Sequence, residues 1–356
     1  MSPAWTELNT AADLVAEYAP LIKGKTILTT GVTPGSIGAS FVEALATASP
    51  ALLILAGRTQ SKLDAEAAAI AEKNPSVKTK TVVVDLLSLD SVRAAAAAVN
   101  GWSDVPAIDV LVNCAGIMAV PYATSADGYE SQFAANHLAH FLLTNLLMPK
   151  ILASPAPRVV NVSSSGHRLH PIRFADANWQ DGATYDKWYA YGQSKTANML
   201  MALQLSRILG GKGLVALSLH PGLIMGTGLS AHLDFSNEPT SDFLTMMTAD
   251  RLLGNTEGFG EGLGIHTPLT NEQGAATKVY ASFEPSLKGK FLSVHSYHEE
   301  KSANHLKSAD HNGAYLLQSR VADPLKDDYK PWARDIYDAE KLWKLSEELV
   351  GQEFKY

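Results

Sequence analysis

Between residue 25 and about residue 295 the chain repeats one pattern: a short unbroken apolar run, then a longer stretch with Ala, Leu and charge at helical spacing. The runs are Thr26 to Thr30, Leu52 to Leu55, Val82 to Val84, Val110 to Val112, Val159 to Val162, Leu214 to Leu217 and Phe291 to Val294, which makes seven candidate strands. None alternates apolar with polar, so each is expected to be covered on both faces. Between them, Leu63 to Ala71, Ser91 to Val99, Ser131 to Met148 and Thr196 to Leu209 carry helical periodicity. Pro149 is read as a helix end, and Asn100-Gly101 and Gly210-Gly211 as helix stops whose glycines supply a positive φ. Strands alternating with helices predict an α/β fold, a doubly wound parallel seven-stranded sheet with helices on both faces.

Three pieces lie outside the repeat. Residues 1–22 read as an N-terminal helical extension, with Leu8, Ala11, Ala12, Val15, Ala16 and Tyr18 on one face. The main domain is then 23–295. Within it, 228–270 is an insertion: Phe243 to Leu253 suggests a short apolar helix over a pocket, and five glycines between Gly254 and Gly264 resist regular structure. Residues 296–356 form a C-terminal extension whose Ile336, Ala339, Leu342, Trp343, Leu349 and Val350 predict an amphipathic closing helix.

Composition removes several functional classes. A net charge of -7 leaves no broad positive surface for nucleic-acid phosphates. The single cysteine, Cys114, has no partner for a disulfide or a cysteine metal site, which suits a reducing, cytoplasmic setting. The opening residues lack a basic flank followed by an apolar run, and no stretch of about 18 apolar residues predicts a membrane span. His137, His140, His167, His170 and His220 crowd the middle of the chain but lack carboxylates at ligand spacing, so no metal is expected.

The first run leads into Thr30-Gly31-Val32-Thr33-Pro34-Gly35-Ser36-Ile37-Gly38 and a helix from about Ser36. Glycines there allow a tight turn whose amides reach a pyrophosphate at the helix's positive end. The second run ends at Arg58, where an acidic residue would bind a ribose 2′-hydroxyl and a cation suits a 2′-phosphate. Arg58, with Lys62, therefore favours NADP(H) over NAD(H). Tyr and Lys four apart share a helical face. With 12 tyrosines and 29 basic residues in 356, about one such match is expected by chance, and three with Lys occur: Tyr191/Lys195, Tyr297/Lys301 and Tyr337/Lys341. Only Tyr191 lies between two runs of the repeat, where a cation would favour ionisation of its phenol. Ser163-Ser164-Ser165 close the fifth run near that helix, and spacing alone does not choose among the three hydroxyls.

In order, Thr30 to Gly38, Asn113-Cys114-Ala115-Gly116, Asn136 to Phe141, the three serines, Tyr191 to Lys195 and Pro221-Gly222 resemble the short-chain dehydrogenase/reductase superfamily over residues 25–295. Ala126 to Glu130 leading into Asn136, and Tyr191 to Asn198, look most like its retinol dehydrogenase and WW-domain oxidoreductase branch. The resemblance implies a Rossmann-type dinucleotide-binding and catalytic domain. It makes Tyr191 the acid-base, Lys195 its pKa-lowering partner and ribose ligand, Ser164 the donor to the substrate oxygen, and Asn136 the holder of a relay water. For the cofactor it implies Gly31, Ser36, Ile37 and Gly38 at the phosphates, Asp85 and Leu86 at the adenine, Asn113, Ala115 and Gly116 beneath the nucleotide, and Pro221, Gly222, Ile224 and Thr227 at the nicotinamide. Three departures stand out. The glycine turn holds one extra residue, Gly226 stands where the family places a Thr, and Phe174, Trp179, Tyr185, Trp188 and Tyr189 fill a long segment before Tyr191.

The expected function is an NADP(H)-dependent oxidoreductase that interconverts a ketone or aldehyde with an alcohol, on a bulky apolar small molecule. The assembly is left open between a homodimer, which the resemblance implies through the helices around 131–148 and 190–209, and a monomer whose C-terminal 60 residues cover that surface. Two alternatives stay open: an enone C=C reductase, and a non-catalytic NADP(H)-binding sensor.

Overall fold

The computed structural model describes residues 5–224, 226–236, 238–255, 268–288 and 311–356. Six of the seven apolar runs become parallel strands: β1 (Thr26–Thr30), β2 (Leu52–Gly57), β3 (Thr79–Val83), β4 (Val110–Asn113), β5 (Arg158–Val162) and β6 (Val215–His220). The run at 291–294 lies outside the described residues. The sheet continues instead with β7 (Tyr315–Leu317), parallel to β6, and β8 (Arg320–Val321), antiparallel to β7. Among the described residues eight strands stand in the order β3-β2-β1-β4-β5-β6-β7-β8, where seven were expected along the chain. β8 escapes a hydropathy reading because it is two residues long and half-buried.

Helices cover both faces, as unbroken apolar strands require. On one face lie α1 (Ala11–Ile22), α2 (Ile37–Ala46), α3 (Gln60–Lys73) and, further along the chain, α9 (Asn271–Phe283). α1 begins in a reciprocal cap, in which Thr10 and Asp13 satisfy each other's backbone amides. The other face carries α4 (Leu89–Gly101), α5 (Ser131–Phe133), a π turn at Ala134–Leu138, α6 (Ala139–Leu152) and α7 (Lys187–Leu209). Pro149 does not end α6, which runs to Leu152. Pro149 forgoes one i to i−4 bond, to the Asn145 carbonyl, and its fixed φ of about −65° is itself helical, so the last turn continues past it. The positive φ after α7 belongs to Gly213, not to Gly210 or Gly211, and Gly101 lacks one too.

The two extensions pack on this frame. α8 (Asp242–Leu252) sits in the insertion, as the apolar run predicts, and clusters with Leu169 and Trp188. α10 (Ile336–Val350) lies on α7 and buries Ala339, Leu342, Trp343 and Val350. Trp343 meets Phe141 of α6 edge-on at 4.8 Å, and Ser346 bonds His137 at 2.8 Å. The α6 and α7 surface, through which the resemblance implies a homodimer, is thus partly covered by the chain's own C-terminal helix, the other arrangement the sequence left open. No described helix is long and apolar enough to cross a membrane.

Candidate active site

The sheet's carboxyl edge opens into a cleft of about 1080 Å³. One end is the turn between β1 and α2. Gly31 has φ +76, and a Cβ there would fall 2.7 Å from Ala115 Cα; one on Gly38 would fall 2.6 Å from the Gly31 carbonyl. Side chains are excluded because the β1 and β4 loops touch at backbone level. Ser36 caps α2, accepting the Ala39 amide at 3.1 Å and donating to the Gly31 carbonyl at 3.0 Å. The extra residue is absorbed at Gly35, which is at φ +78 with open space around its Cα.

Arg58 and Lys62 follow β2 on the cleft's rim, exposed and without a partner among the described residues. Asp85 and Leu86 line the same end, with the Asp85 carboxylate turned back onto the Leu87 amide at 3.0 Å. Ala115 and Gly116 form the floor. Asn113 does not belong there. It is 1% exposed, and its amide bonds Asn161 at 2.8 Å and Thr144 at 2.9 Å, tying β4 to β5 and α6. The sheet register sets Asn113 opposite Asn161, so the amide serves the sheet, a fact that spacing along one strand cannot reveal.

The other end carries the acid-base group. α7 begins at Asp186, whose carboxylate caps the Trp188 and Tyr189 amides, and its helical turn brings Tyr191 and Lys195 to one side. Of the three serines, only Ser164 meets Tyr191. Ser163 is spent on the Lys195 carbonyl at 2.8 Å, and the Ser165 amide bonds His220. Ser164 Oγ also accepts the Gly166 amide at 2.9 Å. Burial pushes the Tyr191 phenol up to about 12, and the Ser164 hydroxyl opposes this only in part. That is the reverse of the direction expected from the ammonium alone. Lys195 itself, its Nζ 3.3 Å from the Val162 carbonyl and 5.5 Å from the Tyr191 ring centroid, is pushed down to about 8 by burial.

Asn136 lies on the π turn behind Gly116, fully buried. Such one-turn distortions concentrate at functional sites. Its side-chain amide is spent on Ile117, at 2.8 and 2.9 Å, and on Ser194 at 2.9 Å. Its backbone carbonyl accepts His140 Nδ1 at 3.1 Å. His140 is missed by motif reading. Burial holds it down to about 4, so it is neutral. With its proton on Nδ1, Nε2 accepts the Thr30 hydroxyl at 2.9 Å, while Thr30 Oγ1 receives the Cys114 and Ala115 amides at 2.9 and 3.1 Å. The signal was present as a Thr before the glycine turn and a His four residues after Asn136, but only their meeting gives it meaning.

Pro221, Gly222, Ile224 and Thr227 line the cleft beyond β6. The wall opposite is apolar, with Met118, Leu169, Trp188, Phe235 and Met246. Of the five aromatics before Tyr191, Trp188 alone lines the cleft; Tyr185 bonds the Val120 carbonyl at 2.8 Å and Phe174 packs beneath Lys341. α8 is pinned over this wall by Lys187 on Asp242, by the Trp188 indole on Thr245 and by Arg168 on Asp250. Tyr337 is 77% exposed, and among the described residues Tyr191/Lys195 is the one such pair that lines the cleft; Tyr297 and Lys301 lie outside them.

Residues 25–176 match a family model described as short chain dehydrogenase. Human retinol dehydrogenase 13 is 41% identical over 211 residues, 59% of this chain and 62% of that one, so the chain spans less than two thirds of that relative. Mouse retinol dehydrogenase 14 is 30% identical over 93% of this chain and 87% of its own length, and oxidoreductase calI of Penicillium decumbens is 34% identical over 92% and 88%. Among solved structures, a protein of Mycobacterium paratuberculosis covers 99% of this chain and 100% of its own at TM-score 0.65 and 29% identity. An NADPH-bound carbonyl reductase from chicken fatty liver, at 19% identity and TM-score 0.52 over 84% of this chain, shares the fold. Sequence and sheet order agree: the chain belongs to the short-chain dehydrogenase/reductase superfamily, near its retinol dehydrogenase branch.

Proposed function

We propose that the protein interconverts a carbonyl compound and an alcohol with NADP(H). The observation that carries this reading is the meeting of the Tyr191 and Ser164 hydroxyls in a cleft whose other end is a glycine turn that admits no Cβ. The residues suit a phosphorylated dinucleotide. At Gly116 an added Cβ would stand 2.9 Å from Asn136 Oδ1 and 3.4 Å from Lys195 Nζ, so the floor beside the ammonium must stay bare. Arg58 and Lys62 offer unspent cations for a 2′-phosphate. When bound, the reduced nicotinamide supplies a hydride to the carbonyl carbon.

The chain does the rest. Ser164 and Tyr191 together donate to the substrate oxygen and so polarise it. Tyr191 gives its proton to that oxygen in reduction and takes one back in oxidation. Because burial holds the phenol up to about 12, it is protonated at neutral pH, the state that reduction requires. Lys195, fixed under the cleft, stabilises the phenolate left behind. The apolar wall of Met118, Leu169, Trp188 and Met246 suits a bulky apolar ketone or aldehyde. A reducing, cytoplasmic setting suits Cys114, a free thiol on the cleft lining.

The test follows NADPH absorbance over a panel of ketones, aldehydes and enones, with Tyr191→Phe in parallel. Turnover of carbonyls that falls about 100-fold or more in the variant supports the reading. Turnover of enones alone, or tight NADPH binding with no turnover of any class, rejects it. Comparing thermal stabilisation by NADPH and NADH tests Arg58: the tighter ligand raises Tm further, and a larger rise with NADH overturns the NADP(H) assignment.

A further inference from the structure

Ser164 contributes to the cleft only while its hydroxyl stays beside Tyr191, yet it sits at the head of one short 3-10 turn, Ser165–Leu169, where its hydroxyl accepts the Gly166 amide and its carbonyl accepts the His167 amide at 3.2 Å. The group behind it is His167, fully buried and absent from the cleft lining. His167 Nδ1 stands 2.8 Å from the Ser164 carbonyl oxygen, and Nε2 stands 3.3 Å from the Lys330 amide. A carbonyl only accepts and an amide only donates, so the ring carries its proton on Nδ1 and a lone pair on Nε2. Two fixed partners on opposite sides admit one neutral tautomer.

We propose that His167 is a positioning residue for Ser164, one that makes the C-terminal segment 315–332 part of the catalytic apparatus; this rests on the carbonyl reading above. Tyr315 and Tyr329 hold the imidazole edge-on, at ring distances of 5.3 and 6.5 Å. The His167 carbonyl accepts the Trp332 indole at 3.1 Å and the Thr196 hydroxyl at 3.1 Å, and Thr196 lies on α7, one residue past Lys195. One residue thus joins the Ser164 turn, the helix of the acid-base tyrosine and a segment more than 160 residues further along the chain. The next residue repeats the pattern with charge: Arg168 reaches Asp250 of α8 at 2.8 Å and Asp328 at 2.5 Å. Burial holds the imidazole down to about 4, helped by the Arg168 and Lys330 cations that face it and opposed only in part by the Ser164 carbonyl and Asp328. His167 therefore keeps this tautomer throughout the neutral range, and with both nitrogens engaged it has no proton to exchange with substrate.

The test uses the full chain with NADPH and p-nitrobenzaldehyde, and the variants His167→Leu, His167→Asn and His167→Gln. Asn places an amide N–H where Nδ1 was and restores the bond to Ser164; Gln places a carbonyl where Nε2 was and restores only the bond to Lys330. A misplacement of about 1 Å costs on the order of 100-fold in rate, so Leu should lower kcat by about that factor. NADPH affinity, read by cofactor fluorescence, should stay within about twofold. Asn should recover most of the loss and Gln little of it. A folded Leu variant with wild-type kcat overturns the proposal, as does equal rescue by Gln and Asn. Nitrogen NMR of the unmodified protein reads the ring without any substrate, and a proton found on Nε2 also overturns it. If the unmodified protein reduces no carbonyl while its His167 shows the Nδ1–H form, the failure belongs to the carbonyl reading and the bridge to Ser164 stands.

Discussion

At Tyr191 two requirements oppose each other: a proton must be available to the substrate, and the anion left behind must be tolerable. Burial answers the first by pushing the phenol up to about 12, and Lys195 answers the second as a cation held in the same dry environment. Because burial also pushes Lys195 down to about 8, its charge is present below that pH and lost above it. The expected outcome is a kcat/KM for reduction that is level through neutrality and falls above about pH 8, while the phenol remains protonated; a pH-rate profile still level at about pH 10 removes Lys195 from this role. Gly31 is a second residue-scale test. Gly31→Ala puts a methyl 2.7 Å from Ala115 Cα at a φ of +76, so about 2 kcal/mol or more of stability should be lost, together with NADPH binding. Thermal melts with and without NADPH read both, and a variant that melts and binds like the parent sinks the account of the turn.

Among the elements, α8 and α10 do different work. α8 forms one wall of the cleft through the buried Met246, so Met246→Ala should raise kcat/KM for bulkier ketones relative to small ones while costing about 2 kcal/mol of stability. An unchanged ratio across a ketone series shows that α8 does not set specificity. α10 is structural. Its apolar stripe was legible in the sequence because Leu342, Trp343 and Val350 recur at helical spacing, but the stripe did not say what it covers. The answer, α7 and Phe141 of α6, comes from packing across some 200 residues of chain. Leu342→Ala should cost about 2–5 kcal/mol in urea unfolding. A cost under about 1 kcal/mol shows α10 to be a loosely held appendage.

For the whole molecule, His137, His140 and His167 share one condition: each is fully buried and held neutral, with its affinity for a proton pushed down to about 3, 4 and 4. In the unfolded chain each titrates near its ordinary value of about 6.5. Their folded values are depressed, so the stability they permit is fully present above about pH 6.5 and is lost as pH falls toward about 4. The loss is about 1.4 kcal/mol per histidine for each pH unit below 6.5. Chemical denaturation at stepped pH should therefore show a steep decline between pH 6.5 and 4, and a stability level across that window refutes the burial of these rings. The decline should shrink in His137→Gln, whose neutral amide takes up no proton when the chain unfolds.

The amino-acid sequence by itself determined the strand and helix alternation, the glycine turn, the Tyr191/Lys195 pair and the closing amphipathic helix. All of these are written in local periodicity and spacing, which the backbone reads within a few residues. Spacing left three serines open and only the resemblance pointed to Ser164; tertiary structure set that hydroxyl beside Tyr191, and alone decided that Asn113 belongs to the sheet and not the cleft and that β7 and β8 follow a long excursion after β6. It also decided that His140 and His167 stand behind the reacting groups. Each of these depends on register between strands or on contacts between distant segments. Burial and hydrogen-bond partners there are set by the assembled core, whatever a residue's own neighbours in the chain.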